Sequence, residues 1–119
     1  MIHPIESQVV LLAGAKASVT LSRLSELLEQ ANASLTERRA VYDRRYERID
    51  EHGERTYYLV DANHWNTLGD ELGFNRRESE ALKRAHTEQF RRAGRRLDRL
   101  EEFETALEIR AVVVVEPAD

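Results

Sequence analysis

The chain has 119 residues, which gives room for one core and one domain but not for separate cofactor and substrate domains. Its formal net charge is −4, with 34% charged and 41% hydrophobic residues, a balance that suits a soluble globular chain with long exposed helices. The absence of cysteine excludes disulfides, cysteine zinc sites, iron–sulfur clusters and thiol nucleophiles.

Ile5–Ala17 reads as a first helix, with Pro4 where a first-turn proline is tolerated. Its apolar run Val9–Ala15 falls well short of the ~20 residues that span a bilayer. No Lys or Arg precedes that run, as a secretory signal requires, so no targeting or membrane segment is expected and the location is read as cytoplasmic. Thr20 is placed to cap a second helix, in which Leu21, Leu24, Leu27, Leu28 and Ala31 recur at three- and four-residue spacing. Ser34 and Glu37 have capping-box spacing, which allows a restart or a continuation there. Leu35, Tyr42 and Ile49, seven apart, favour helix onward.

Residues 42–60 admit two readings. The preferred one is a hairpin, Arg45–Ile49 against Arg55–Val60, turning at His52-Gly53. The other carries helix to Ile49 and leaves one strand to pair with Ala111–Val115. If 57–60 is a strand, Tyr57 and Tyr58 point to opposite faces, so one is expected in the core and one outside. A new helix starts at Asp61-Ala62-Asn63, buries Trp65, Leu68 and Leu72, and ends at Gly73. Asn75 then caps the longest helix, about Arg76 to Leu107, and Val112–Val115 is a strand stopped by Pro117. The expected fold is a single α+β domain over 1–119, mainly helical. It has four helices, the C-terminal one long and packed on Leu21–Leu35, and a small antiparallel sheet of two or three strands.

The charge is unevenly distributed. Residues 76–99 hold nine basic and four acidic side chains, net +5, and residues 100–119 hold one and six, net −5. At about 100° per residue, Arg77, Arg84, Arg91, Arg95 and Arg99 share one face of the long helix, widened by Arg92 and Arg96. Guanidinium groups at helical spacing suit a phosphate backbone, an acidic protein surface, or simple solvation with ion pairs to Glu80, Glu88 and Asp98. Opposite them Phe90, Ala93, Leu97 and Leu100 form an apolar seam, and the helix's length makes that seam the expected interface of a coiled-coil homodimer.

The segment WNTLGDELGFNRRESEALKRAH, residues 65–86, has a short helix, a Leu72-Gly73-Phe74 turn and a second helix with Ala81, Leu82 and Ala85 inward. It resembles the helix-turn-helix of DNA-binding proteins, whose second helix enters the major groove N-terminus first. That resemblance places Asn75, Arg76, Arg77, Glu80, Lys83 and Arg84 toward DNA. Arginine reads guanine edges and asparagine adenine. With the basic helix added, the expected nucleic-acid-binding set is Asn75, Arg76, Arg77, Lys83, Arg84, Arg91 and Arg95. A hairpin at 45–60 would precede the recognition helix, whereas the usual wing follows it.

Nothing points to catalysis. His3, His52, His64 and His86 show no metal-ligand spacing, the five glycines form no phosphate loop, and no serine sits in a nucleophile elbow. His86 reads as a hydrogen-bonded structural residue and His64 as a helix-start residue. The function expected is a small DNA-binding or regulatory protein, a non-enzyme with no cofactor and no metal. Its partners would be a second copy and double-stranded DNA. The alternative is a helical protein–protein interaction or assembly module that docks an acidic protein.

Overall fold

The computed structural model describes residues 3–117. Its elements, in order, are α1 (Ser7–Ala17), α2 (Leu21–Glu37), α3 (Arg39–Arg45), β1 (Glu47–Glu51), β2 (Arg55–Asp61), α4 (His64–Leu72), α5 (Arg76–Arg96), α6 (Leu100–Leu107) and β3 (Arg110–Val115). This is an α+β fold, mainly helical, with a three-stranded antiparallel sheet ordered β1-β2-β3. Both readings of residues 42–60 are met in part. Helix runs to Arg45, the hairpin forms with left-handed His52 and Gly53 at its turn, and β3 pairs with β2 as well.

Local chemistry sets most boundaries as the sequence implies. The Thr20 Oγ1 accepts the Arg23 N–H at 3.2 Å and caps α2. Gly73 takes the left-handed conformation after α4, with the Phe74 N–H bonded to the Gly69 carbonyl, a Schellman end. Asn75 and Glu78 form a complete capping box on α5.

The long helix departs from its expected course. It ends at Arg96 rather than Leu107, because Asp98 turns left-handed (φ 56°) and the Arg99 N–H bonds back to the Gly94 carbonyl at 2.8 Å. The chain then folds over as α6, laying Phe103 on Phe90 with stacked rings 4.1 Å apart. Gly94 makes this possible: a Cβ there would meet Phe103 Cδ2 at 2.9 Å and the Leu100 Cα at 3.1 Å. With α3 and α6 distinct, the described residues hold six helices rather than four. Helix α5 packs against α1 as well as α2.

The two tyrosines depart from expectation too, since Tyr57 and Tyr58 are both fully buried. The sheet is covered on both faces. Tyr57 meets Phe90 of α5 on one side, and Tyr58 meets Tyr42 of α3 on the other, its hydroxyl donating to Asp43. The core therefore extends through the sheet, with Leu24, Leu27, Leu28 and Leu35 of α2 and the apolar run of β3 all buried. Among the described residues no helix is long and apolar enough to cross a membrane.

Candidate nucleic-acid interface

Helices α4 and α5 form a pair joined by the Gly73-Phe74 turn, and the rest of the molecule holds that pair on several sides. They cross closely where Gly69 faces Ser79, whose Oγ occupies the space a Cβ on residue 69 would need. Phe74 is buried under the turn. Glu78, besides closing the capping box, accepts from Arg23 Nε of α2 at 2.8 Å. The Asn75 backbone and Arg23 both hold the Glu78 carboxyl below its usual range.

The sheet supplies the other anchor. The Trp65 indole N–H of α4 donates to the Val112 carbonyl at 3.0 Å, and the Val114 N–H donates to His86 Nδ1 of α5 at 2.9 Å. Both backbone groups lie on the outer edge of β3, beyond which the described residues place no strand. The two rings lie 4.5 Å apart, so one aromatic pair occupies the place of a fourth strand. Burial depresses His86 to a pKa of about 3, which keeps the ring neutral and its Nδ1 an acceptor. The structural role expected of His86 is the one observed. His64 begins α4 and shares a 2.7 Å hydrogen bond with the buried Tyr42 hydroxyl, tying the pair to α3.

What the pair turns outward decides its chemistry. Arg76, Arg77, Arg84 and Arg95 are exposed, Lys83 is half-buried, and among the described residues none of the five lies in an ion pair. The remaining arginines of α5 and its end are engaged. Arg91 is clamped by Glu88 and Glu104 at 2.6 Å each. Arg92 and Arg96 turn to Glu6 of the α1 entry, Arg96 also reaching Glu51, and Arg99 pairs with Glu102 over the Phe103 ring. Arg91, expected in the binding set, is thus half-buried and matched. Asn75 is also committed, because its Oδ1 receives the Glu78 N–H at 2.8 Å.

The apolar seam serves the chain's own core. Phe90 and Ala93 have no exposed surface, enclosed by Tyr57 and Phe103, and Leu97 and Leu100 are half-buried at the bend into α6. No straight coiled-coil stripe survives the turn at Asp98 to receive a second copy.

A family sequence profile matches residues 3–117, nearly the whole chain. The chain belongs to the DUF8048 family. That family is described as a domain of unknown function. No curated protein and no solved structure matches the chain. For this DUF8048 domain the residues themselves therefore carry the functional argument.

The sequence reading missed three features: the Trp65–His86 edge clamp, the Arg23–Glu78 tie, and the Glu6–Arg96–Glu51 cluster beside Arg55. The cluster is buried enough to matter. Glu51 is 2% exposed and accepts the Tyr57 hydroxyl at 2.6 Å, and Glu6 is held to a pKa of about 2 chiefly by Arg96. Gln89, fully buried, bonds both the Glu6 backbone and its carboxylate. Arg96 reaches Glu51 and Glu6 across 45 and 90 positions of chain, which no local pattern announces. Among the described residues no group of three or more His, Asp or Glu is placed to hold a metal ion.

Proposed function

We propose that this domain is a small DNA-binding or regulatory protein that contacts the phosphate backbone of duplex DNA through the N-terminal half of α5. The observation that carries this reading is the division of the basic residues. Among the described residues Arg76, Arg77, Lys83 and Arg84 stand outside every ion pair, while Arg91, Arg92, Arg96 and Arg99 are held by carboxylates. An unpaired guanidinium carries a charge that a phosphate can neutralise without first displacing a protein carboxylate. Residues 76 to 84 span about 12 Å of helix axis, comparable with a major groove about 12 Å wide. The α4–α5 turn presents that half of the helix first, in keeping with the helix-turn-helix resemblance. Arg91 and Asn75 drop out of the contacting set, and Arg95 is a peripheral backbone contact.

The test is fluorescence anisotropy with a labelled duplex of mixed sequence, titrated at several salt concentrations. The parent is expected to bind at low salt. R77E/R84E should weaken binding at least tenfold and flatten the salt dependence by about two phosphate contacts, with stability within about 0.5 kcal/mol of the parent. R91A should bind like the parent. No binding of duplex DNA by the parent at low salt would end this reading.

A second reading, a helical interaction module, draws on one specific observation. Leu11 and Leu12 of α1 are 56% and 54% exposed, and Leu21 at the start of α2 is 49% exposed. Leu11 and Leu21 line one surface hollow with Ile5 and Val10, which suits a protein partner better than a nucleic acid.

A further inference from the structure

The two edges of the sheet are treated differently. At β3 the outward Val112 carbonyl and Val114 N–H are taken by Trp65 and His86. Those contacts also fix the direction of every backbone group across the sheet. Val112 and Val114 turn away from β2, so their β2 neighbours Leu59 and Tyr57 turn toward β1, and Ile49 opposite Tyr57 turns toward β2. Arg48 and Asp50, on either side of Ile49, therefore aim their N–H and C=O groups outward from β1. Among the described residues no helix, turn or side chain hydrogen-bonds these four groups.

We propose that this edge pairs with the same edge of a second copy, antiparallel about a two-fold axis through Ile49. The register follows from the residues. An axis at Ile49 sets Arg48 opposite the partner's Asp50 and Asp50 opposite the partner's Arg48. Both are outward-facing residues, so each pair exchanges two hydrogen bonds and all four open groups are used twice over by symmetry. Arg48 and Asp50, exposed on the same side of the strand, already pair with each other at 3.0 Å within one chain, Arg48 also with Asp43, and the same register sets each opposite its counter-charge in the partner, so the junction joins two existing ion pairs into one alternating set of four charges. Ile49 meets its own copy in the close, non-hydrogen-bonded position. Glu47 faces the partner's Glu51, whose carboxylate is already turned inward to Tyr57 and Arg96. Any other register of this five-residue strand loses the Arg48–Asp50 match. The product is a six-stranded sheet running through both subunits, with its outer margins formed by the two clamped β3 strands.

So short a strand buries less than the roughly 1,200 Å² of a standard interface, so the dimer is expected to be weak, with dissociation in the micromolar range. Sedimentation velocity over a concentration series measures it directly. R48D and D50R, each of which sets like charges opposite one another, should raise the dissociation constant at least tenfold, and the double exchange R48D/D50R should restore it. Circular dichroism checks that each variant is folded. Amide exchange on the unaltered protein supplies a reading that needs no variant. The Arg48 and Asp50 N–H groups should gain protection with concentration, while the Ile49 N–H is protected throughout. A protein that stays monomeric into the hundreds of micromolar, or a dimer indifferent to both single exchanges, would overturn the proposal.

Discussion

Acid should loosen this protein at His86 before it protonates most of the carboxylates. The ring is 1% exposed, and its Nδ1 accepts the Val114 N–H. Burial sets its folded pKa at about 3, against about 6.5 in an unfolded chain. Below pH 6.5 the unfolded chain takes up a proton that the folded one refuses, so stability falls as pH drops and continues to fall until about pH 3. Each unit is worth about 1.4 kcal/mol, so roughly 2 kcal/mol is lost by pH 5. That is a large part of a typical total of 5–15 kcal/mol. His64, also depressed chiefly by burial, pulls in the same direction, so the slope must be divided between the two. Replacing His86→Gln keeps an acceptor for the strand edge and removes the titration. Urea unfolding at pH 7 and pH 5 is the assay. The parent should lose about 2 kcal/mol more than His86→Gln between the two pH values. Equal losses in the two proteins would refute the assignment of a buried, neutral imidazole at this edge.

Two further substitutions probe the bend and the core. Gly94→Ala puts a methyl group 3.1 Å from the Leu100 backbone and 2.9 Å from Phe103, so overpacking should cost about 1–3 kcal/mol in thermal unfolding. A melt like the parent's would mean that α6 does not rest on α5 as described. Phe90→Ala empties the stacked position between Tyr57 and Phe103 and should cost about 3–5 kcal/mol in denaturant unfolding, with no dependence on protein concentration. A cost that grows with concentration would return Phe90 to an intersubunit seam.

The elements set by chemistry within a few residues were legible before the structure. Thr20, Gly73 and Asn75 each act on a partner three to five residues away, and each marks its boundary correctly. The break at Asp98 was not legible. The apolar period runs on through Leu97, Leu100 and Phe103, and only the contact of Phe103 with Phe90 and Gly94 makes a fold-back preferable to a straight rod. The burial of both Tyr57 and Tyr58 has a signal in the sequence. A nearly continuous apolar run in both Tyr57–Val60 and Ala111–Val115 is the mark of strands covered on two faces. At the candidate interface the positions of the arginines could be read from helical spacing, but their engagement could not. Arg92 and Arg96 look as free as Arg77 and Arg84 until the fold brings Glu6 and Glu51 alongside.

The clamp of Trp65 and His86 on β3 covers the most hazardous stretch of this chain. Val112-Val113-Val114-Val115 is uncharged, wholly β-branched and free of glycine and proline, the composition from which dry cross-β interfaces are built. In the native fold its open side meets an indole and an imidazole, neither of which can be extended by another strand. Whether the protein remains soluble under stress therefore depends on how often α4 and α5 lift from the sheet, more than on how often the whole chain unfolds. A partial opening that spares the β2–β3 pairing would expose a preformed template, so fibril formation should follow the docking of one helix pair and precede the loss of the sheet.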